Sequence, residues 1–300
     1  MASDLAIIIV SYNVADLLAA CLRSVFATTD SLAYEVIVVD NASSDHTAEM
    51  MAQGFPEVRF IANDHNVGFA AANNQAIRQS QSPFVLLLNP DTEVRGNALQ
   101  ALCAAMRDHP DIGVLGPRII NPDGTLQSAA RRFPSWHSIL TGRHDSPPIE
   151  IHPGIHRADW VLGAALLVRR QVIDQVGLLD EDYFLYAEER DWCYRIKQAG
   201  WEVGVLMDAE IVHYGGQSTA QCAPRSYENL IHSQVRFLNK HCRPGLKSLY
   251  LVTTLVNAGS RELVARSLTL GPGNGSQWRE RTATYAAGRK LAWSYLCGRE

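Results

Sequence analysis

Short apolar runs alternate with polar breaks and helical patterns along the first two thirds of the chain. Residues 5–10, 35–39 and 84–88 are almost wholly apolar and rich in branched side chains, and residues 58–62 form a weaker run. Runs of this length without polar alternation predict strands buried on both faces, as in parallel sheets covered by helices. Between them, residues 15–26 set Leu18, Leu22, Val25 and Phe26 at helical spacing. Helices are also predicted from Ser43 or Ser44, either of which can cap, to residue 51, and over 69–79 and 98–107. A further strand is predicted at 112–115. Strands alternating with helices about every 25 residues predict an α/β fold with a doubly wound, mostly parallel sheet flanked by helices.

The polar breaks carry the chemistry. Three of the apolar runs end in Ser11-Tyr12-Asn13, Asp40-Asn41 and Asn89-Pro90-Asp91. In a parallel sheet these ends share the carboxyl edge, where open α/β sheets bind ligands. Pro90 cannot donate to a strand ladder, so the fourth strand stops there. Asp91 then reads in two ways, as a turn cap or as a ligand for a divalent cation. The loop 63–68, with Asn66 and Gly68, leads into the third helix.

The second half begins with a hairpin turn at 121–124, Asn-Pro-Asp-Gly. Residues 133–157 are rich in Pro, His, Ser and Gly and are predicted to form an irregular loop. Its histidines, His137, His144, His152 and His156, have no metal-ligand spacing and are read as solvated. A strand follows over 159–168, where Gly163 and Ala164 allow close approach of a ligand or backbone. A short helix ends near Gly177. Glu188, Glu189 and Asp191 then open a helix that Gly200 stops. Acidic residues in a first turn stabilise a helix dipole by roughly 0.3–1 kcal/mol each. The alternative is that one of them is a general base. Glu188 and Asp191 share a helix face and Glu189 points elsewhere. A strand over 201–207 leads toward His213, which reads either as an ordinary histidine or as a metal ligand.

Composition narrows the class. The 300 residues are 47% hydrophobic and 19% charged, enough for a large core. The net charge of −4 gives no reason to expect nucleic-acid binding. Six scattered cysteines without a CxxC pair suit reduced thiols in a cytoplasmic protein. Neither a secretory signal nor a membrane-spanning run is apparent.

Taken in order, Ile9-Val10-Ser11-Tyr12-Asn13, Val38-Val39-Asp40-Asn41-Ala42-Ser43-Ser44-Asp45, Asn66-Val67-Gly68-Phe69-Ala70, Leu88-Asn89-Pro90-Asp91, Gly163-Ala164, Glu188-Glu189-Arg190-Asp191-Trp192-Cys193-Tyr194-Arg195 and His213 resemble the family 2 glycosyltransferases. They are most similar to the bacterial rhamnosyltransferase-like branch that builds cell-surface polysaccharides. The resemblance covers about residues 5–220 and implies the GT-A fold. It implies that Ser11, Tyr12 and Asn13 line a nucleotide pocket, that Asp40 binds the base with Asn41 nearby, and that Asn66 and Gly68 lie along the nucleotide. Asn89 and Gly163 fall within the same donor site. Asp91 matches a metal-binding carboxylate and His213 a histidine that completes the site, with Mn2+ or Mg2+ as cofactor. Glu189 matches the usual base, with Glu188 and Asp191 as alternatives. Two departures are Asn89 where many members have Asp, and Glu rather than Asp at position 189.

The implied activity is inverting transfer of a sugar from a nucleoside-diphosphate donor, with dTDP-rhamnose as the best reading, to a hydroxyl of a glycan or polyprenyl-linked acceptor. Two alternatives are a catalytically silent sugar-nucleotide-binding protein and a sugar nucleotidyltransferase. The second lacks its Gly-rich basic loop here, and a dehydrogenase lacks G-x-G-x-x-G. Residues 1–226 form the expected catalytic domain and 227–300 a basic helical extension. From residue 240 on, ten Lys and Arg stand against Glu262, Glu280 and Glu300. The extension reads either as helices packed on the domain or as a peripheral contact with an anionic membrane at the inner face of the cell membrane. Residues 271–275 read as a linker.

Overall fold

The first apolar run becomes β1 (Leu5–Ser11), and all seven residues are buried. The structure, a computed structural model, describes residues 3–28, 32–215, 223–269 and 275–299. Gly216, Cys222 and residues 271–274 of the expected linker lie outside the described residues. After β1 come α1 (Ala15–Thr28), β2 (Tyr34–Asp40), α2 (Thr47–Gly54), β3 (Arg59–Ala62), α3 (Phe69–Ile77), β4 (Phe84–Leu88), β5 (Thr92–Val94) and α4 (Ala98–Asp108). The second half holds β6 (Ile112–Ile120), β7 (Leu126–Gln127), β8 (Ala130–Arg131), α5 (Trp136–Thr141), β9 (Glu150–His152), β10 (Ile155–Arg157), β11 (Trp160–Val161), β12 (Ala165–Arg169), α6 (Arg170–Val176), α7 (Glu188–Gln198) and β13 (Glu202–His213). Three helices follow: α8 (Ala223–His241), α9 (Pro244–Thr269) and α10 (Gly275–Leu296).

The main sheet runs β3-β2-β1-β4-β12-β6-β13-β10-β9. Strands β3, β2, β1 and β4 are parallel to one another, as the continuous apolar runs require. Strand β12 then enters antiparallel between β4 and β6. Parallel pairing resumes between β6 and β13. The architecture is thus a mostly parallel sheet flanked by helices, as the sequence predicts, with β12 reversed at its centre and β10 reversed near its edge.

Several boundaries differ from the predicted ones. The strand at 112 continues to Ile120, past Gly116 and Pro117, and the turn at 121–124 joins it to β7. The predicted strand over 159–168 is broken by Leu162–Ala164 into β11 and β12, which belong to different sheets. Strand β13 runs six residues beyond the predicted end, through a register shift between Leu206 and Glu210. The stretch 133–157 is not structureless. It holds α5, with a capping box on Ser135 and Ser138, and the hairpin β9–β10. Nor is His152 simply solvated, since its Nε2 lies 2.9 Å from Asp111 Oδ2. The five described cysteines, Cys21, Cys103, Cys193, Cys242 and Cys297, are free thiols.

The chain divides into two compact units. One comprises Met1–Phe133, Asp145–Phe184 and Glu188–Ser218, and the other Pro134–His144, Leu185–Ala187 and Thr219–Glu300. The first holds the sheet and a continuous core. Trp192 lies wholly inside that core and donates to the Gly177 carbonyl at 2.9 Å, which anchors α7. The second unit has a small core of Ile231, Val235, Leu251, Leu291 and Ala292. Gly288 is required there, because a methyl would stand 2.0 Å from the Tyr227 ring. Buried Glu262 accepts from Arg266 at 2.6 Å and Arg289 at 2.7 Å, so two of the ten basic residues are bound internally. No described helix is long and apolar enough to cross a membrane.

Trp192→Ala is expected to destabilise the protein by about 3–5 kcal/mol, from lost burial and the cavity left behind. Trp192→Phe, which loses the hydrogen bond and part of the buried ring volume, should lose less, about 1–3 kcal/mol. Urea midpoints at constant slope check both values.

Candidate active site

Strand register brings the predicted polar ends together. Ser11 pairs with Asp40 across β1 and β2, and Ile9 pairs with Leu88 across β1 and β4. Leu88 faces Ala165 on β12, and Asn89 N donates to the Ala164 carbonyl at 2.9 Å. The carboxyl ends of three parallel strands and the start of an antiparallel one therefore meet at a single edge.

Side chains tie the loops beyond these strands. Asn13, at φ +53°, takes Ser43 Oγ on its backbone N–H at 2.8 Å, and its side chain accepts from Ser44 N at 2.7 Å. Ser43 also donates to Asp40, through N at 3.0 Å and through Oγ. Asn41 is buried; its N–H donates to the Ser11 carbonyl and its amide to the Gly68 carbonyl at 3.2 Å. Ala42 sits at φ +63°, a backbone state costing roughly 1–2 kcal/mol outside glycine. Neither Ser43 nor Ser44 caps the second helix. Asp45 does the nearby work, accepting from Thr47 N at 3.1 Å and from Ala15 N, at the start of α1, at 3.0 Å. Serines at 43 and 44 are engaged instead with Asp40 and Asn13. Asn66 accepts from Gly68 N at 3.0 Å. Gly68 must be glycine: φ is +88°, and a methyl would stand 2.7 Å from the Phe184 carbonyl oxygen. Tyr12 is exposed, while Ser11 Oγ is buried with no hydrogen-bond partner among the described residues.

Asp91 and His213 meet at the same edge. Tyr214 N donates to the Asp91 carbonyl at 2.9 Å, and His213 pairs with Thr92. His213 Nε2 stands 3.4 Å from Asp91 Oδ1, and both side chains are largely buried. The other ring nitrogen, Nδ1, is 2.7 Å from Gln127 Oε1, and Gln127 Nε2 donates to Asn121 Oδ1 at 3.1 Å. The Asn121–Gln127 bond turns the Gln127 carbonyl toward the ring, so the Nδ1–H tautomer would donate to it and turn the Nε2 lone pair toward the Asp91 carboxylate. Two electron-rich atoms held 3.4 Å apart suit a shared divalent cation. Sequence reasoning missed Gln127, whose only signal is its place just after the 121–124 turn.

The acidic cluster separates by burial. Asp191 is fully buried and accepts from Arg195 Nε at 2.8 Å, while Arg195 donates on to the carbonyls of Val176 and Leu178. Glu188 is also buried, and burial, then the adjoining Glu189 carboxylate, pushes its carboxyl well above the usual range. Glu189 is half-buried and crosses Gly163: a methyl there would stand 3.5 Å from its Cγ and 3.6 Å from its Cδ. Since Gly163 adjoins Ala164, which holds Asn89, Glu189 lies at the same strand edge as the 89–91 turn. The shared face of Glu188 and Asp191 is the inward one, as their spacing predicts.

Comparison with known proteins adds the following. The family model described as "Glycosyl transferase family 2" matches residues 6–161. An N-acetylglucosaminyl-diphospho-decaprenol L-rhamnosyltransferase of Mycobacterium tuberculosis is 32% identical over 223 residues, covering 65% of this chain and 73% of the relative. A dTDP-rhamnosyl transferase of Shigella flexneri is 24% identical over 204 residues, covering 67% of this chain and 66% of the relative. A mannosyltransferase from Pyrobaculum calidifontis, solved with GDP-Man and Mn2+, superposes with a TM-score of 0.60 at 17% identity, covering 100% of this chain and 89% of that one. This last likeness concerns the fold.

Arg195→Met leaves the Asp191 carboxylate buried without its cation and is expected to destabilise by about 3–5 kcal/mol; a melting curve measures it. For Glu188 the folded carboxyl titrates above its ordinary value of 4.5. It favours folding fully only below that pH, and the contribution is lost as pH rises toward the folded value. Glu188→Gln should therefore gain stability over the wild type as pH rises from about 4.5 to neutral. Melting temperatures across that range should diverge, and parallel curves would contradict the burial argument.

Proposed function

Because this chain belongs to glycosyl transferase family 2, a family of sugar-transferring enzymes, we propose that it is a divalent-metal-dependent, inverting glycosyltransferase of cell-surface polysaccharide synthesis. The donor is a nucleoside-diphosphate sugar, read as dTDP-rhamnose from the names of the Mycobacterium and Shigella relatives. The acceptor is a hydroxyl of a glycan carried on a polyprenyl diphosphate, after the name of the Mycobacterium relative. One observation carries the reading: Asp91 and His213 stand 3.4 Å apart at the strand edge that Glu189 reaches across Gly163.

Asp91 and His213 hold the cation, which when bound supplies positive charge against the departing diphosphate. Gln127 keeps His213 in the tautomer that leaves Nε2 free to ligate. Asn89 contributes a neutral group where many relatives have a second carboxylate, so His213 carries more of the affinity. Asp40, oriented by Ser43, takes the nucleobase, and Ser11, Tyr12, Asn13, Asn41, Asn66 and Gly68 line the nucleotide. Glu189 accepts the proton of the acceptor hydroxyl as it attacks the anomeric carbon from the face opposite the diphosphate. Buried Asp191 and Glu188 then act as positioning residues, through Arg195 and through the start of α7.

We read residues 1–226 as the catalytic domain and 227–300 as a basic helical extension of a cytoplasmic protein. On α9, Val252, Val256, Leu263, Val264 and Leu268 are exposed among basic neighbours, a combination suited to the surface of an anionic bilayer.

Asp91→Ala is expected to abolish the Mn2+-dependent part of dTDP-rhamnose binding, measured by calorimetry with and without the ion. Equal affinity in the two conditions for the wild type would sink the metal reading. Glu189→Gln should keep donor binding and lower transfer by at least about 10²-fold. Donor binding without transfer by the wild type to any lipid-linked glycan would favour a silent binding protein instead.

A further inference from the structure

The far end of β13 carries a second group of ligating side chains. His109 follows the last turn of α4, Asp111 precedes β6, and His152 ends β9. Glu202, at the start of β13, donates its N–H to the Asp111 carbonyl at 3.0 Å. His213 closes the same strand at the candidate active site, on the order of 30 Å away at ~3.3 Å per residue. The two groups are thus independent.

The cluster is tight. The His109 and His152 rings stack with centroids 4.0 Å apart and 20° between planes. His152 Nε2 is 2.9 Å from Asp111 Oδ2, and one ligand atom from each of the three residues lies within 4.8 Å of the others. A hydrogen bond to Asp111 accounts for His152 alone and leaves His109 unexplained. Burial pushes the Asp111 carboxyl up, but the His152 hydrogen bond and the charges of both imidazoles outweigh it and hold it below the usual range.

Both supports are fixed. Arg169 donates to the carbonyls of Ile112 at 3.1 Å, His109 at 3.2 Å and Met106, which locks the turn from α4 to β6 and directs its own charge into the backbone. The hairpin from β9 to β10 turns at Gly154, φ +73°, whose N–H donates to Glu150 at 2.7 Å, and buried Ile155 seats it in the core.

We propose that His109, Asp111 and His152 form a second cation site, for zinc-class ions. Two imidazoles and one carboxylate suit zinc, cobalt or nickel rather than magnesium or calcium, and leave a fourth tetrahedral position for water. Reaching a tetrahedral site requires the ligand atoms to close by up to about 1.5 Å and the two stacked rings to rotate about their side-chain bonds until their in-plane lone pairs converge. The ion clips the α4–β6 turn to a hairpin 41 positions later in the chain.

The test uses the full chain stripped of metal by chelation and titrated with Zn2+ alone. The Asp91→Ala/His213→Ala protein removes the active-site candidate. It should still take up one equivalent of zinc and melt about 5 °C higher at a hundredfold excess over Kd. Adding His109→Ala or His152→Ala should lose both the uptake and the shift. His152→Gln keeps a donor toward Asp111 but no imidazole, and should lose zinc while its metal-free melting temperature stays within about 2 °C of the parent. Tetrahedral Co2+ absorption in the visible should follow the same pattern. Zinc uptake that survives these histidine substitutions, or is missing from the Asp91→Ala/His213→Ala protein, overturns the proposal.

Discussion

The candidate active site depends on one register: the antiparallel entry of β12 that sets Ala164 against Asn89. That pairing brings residues more than 70 positions apart to one sheet edge. A methyl at position 163 would stand in ordinary van der Waals contact with Glu189, 3.5 Å from its Cγ, so the helix that carries the acids lies close over the strand end. A shift of one residue would turn every side chain of β12 to the other face and remove this approach.

The loops around that edge are held by short side chains rather than by apolar packing. Asn13, Ser43, Asp40, Asn41 and Asp45 hydrogen-bond chiefly to one another and to neighbouring backbone. Such groups fix the loops to one another, while Ser11 Oγ is buried with no hydrogen-bond partner among the described residues. Strained backbone at Asn13 and Ala42 belongs to the same loops. The sheet core supplies the stability that permits it.

Burial assigns different parts to chemically similar groups. Asp191 and Glu188 are both inside, yet one is paired with Arg195 and the other is pushed toward its neutral form. Glu189, one residue on, reaches the crevice edge. Histidines divide in the same manner. His213 is paired through Nδ1 with Gln127, and His152 is matched to Asp111 and His109, although neither pairing has a sequence spacing that announces it.

Apolar runs and their polar ends were sufficient to predict the alternating strands and helices, the parallel half of the sheet and the crevice at its carboxyl edge. Local periodicity also separated Glu189 from Glu188 and Asp191, because a helix face is a property of spacing alone. The reversal at β12, the division of 159–168 between two sheets and the hairpin inside 133–157 were not legible, since pairing direction and partner are set by distant segments competing for the same core edge. The bond from Ala15 N to Asp45, the role of Gln127 and the His109–Asp111–His152 group escaped for a related reason. Each is a contact between loops far apart in sequence, and only the completed sheet brings them within hydrogen-bonding distance.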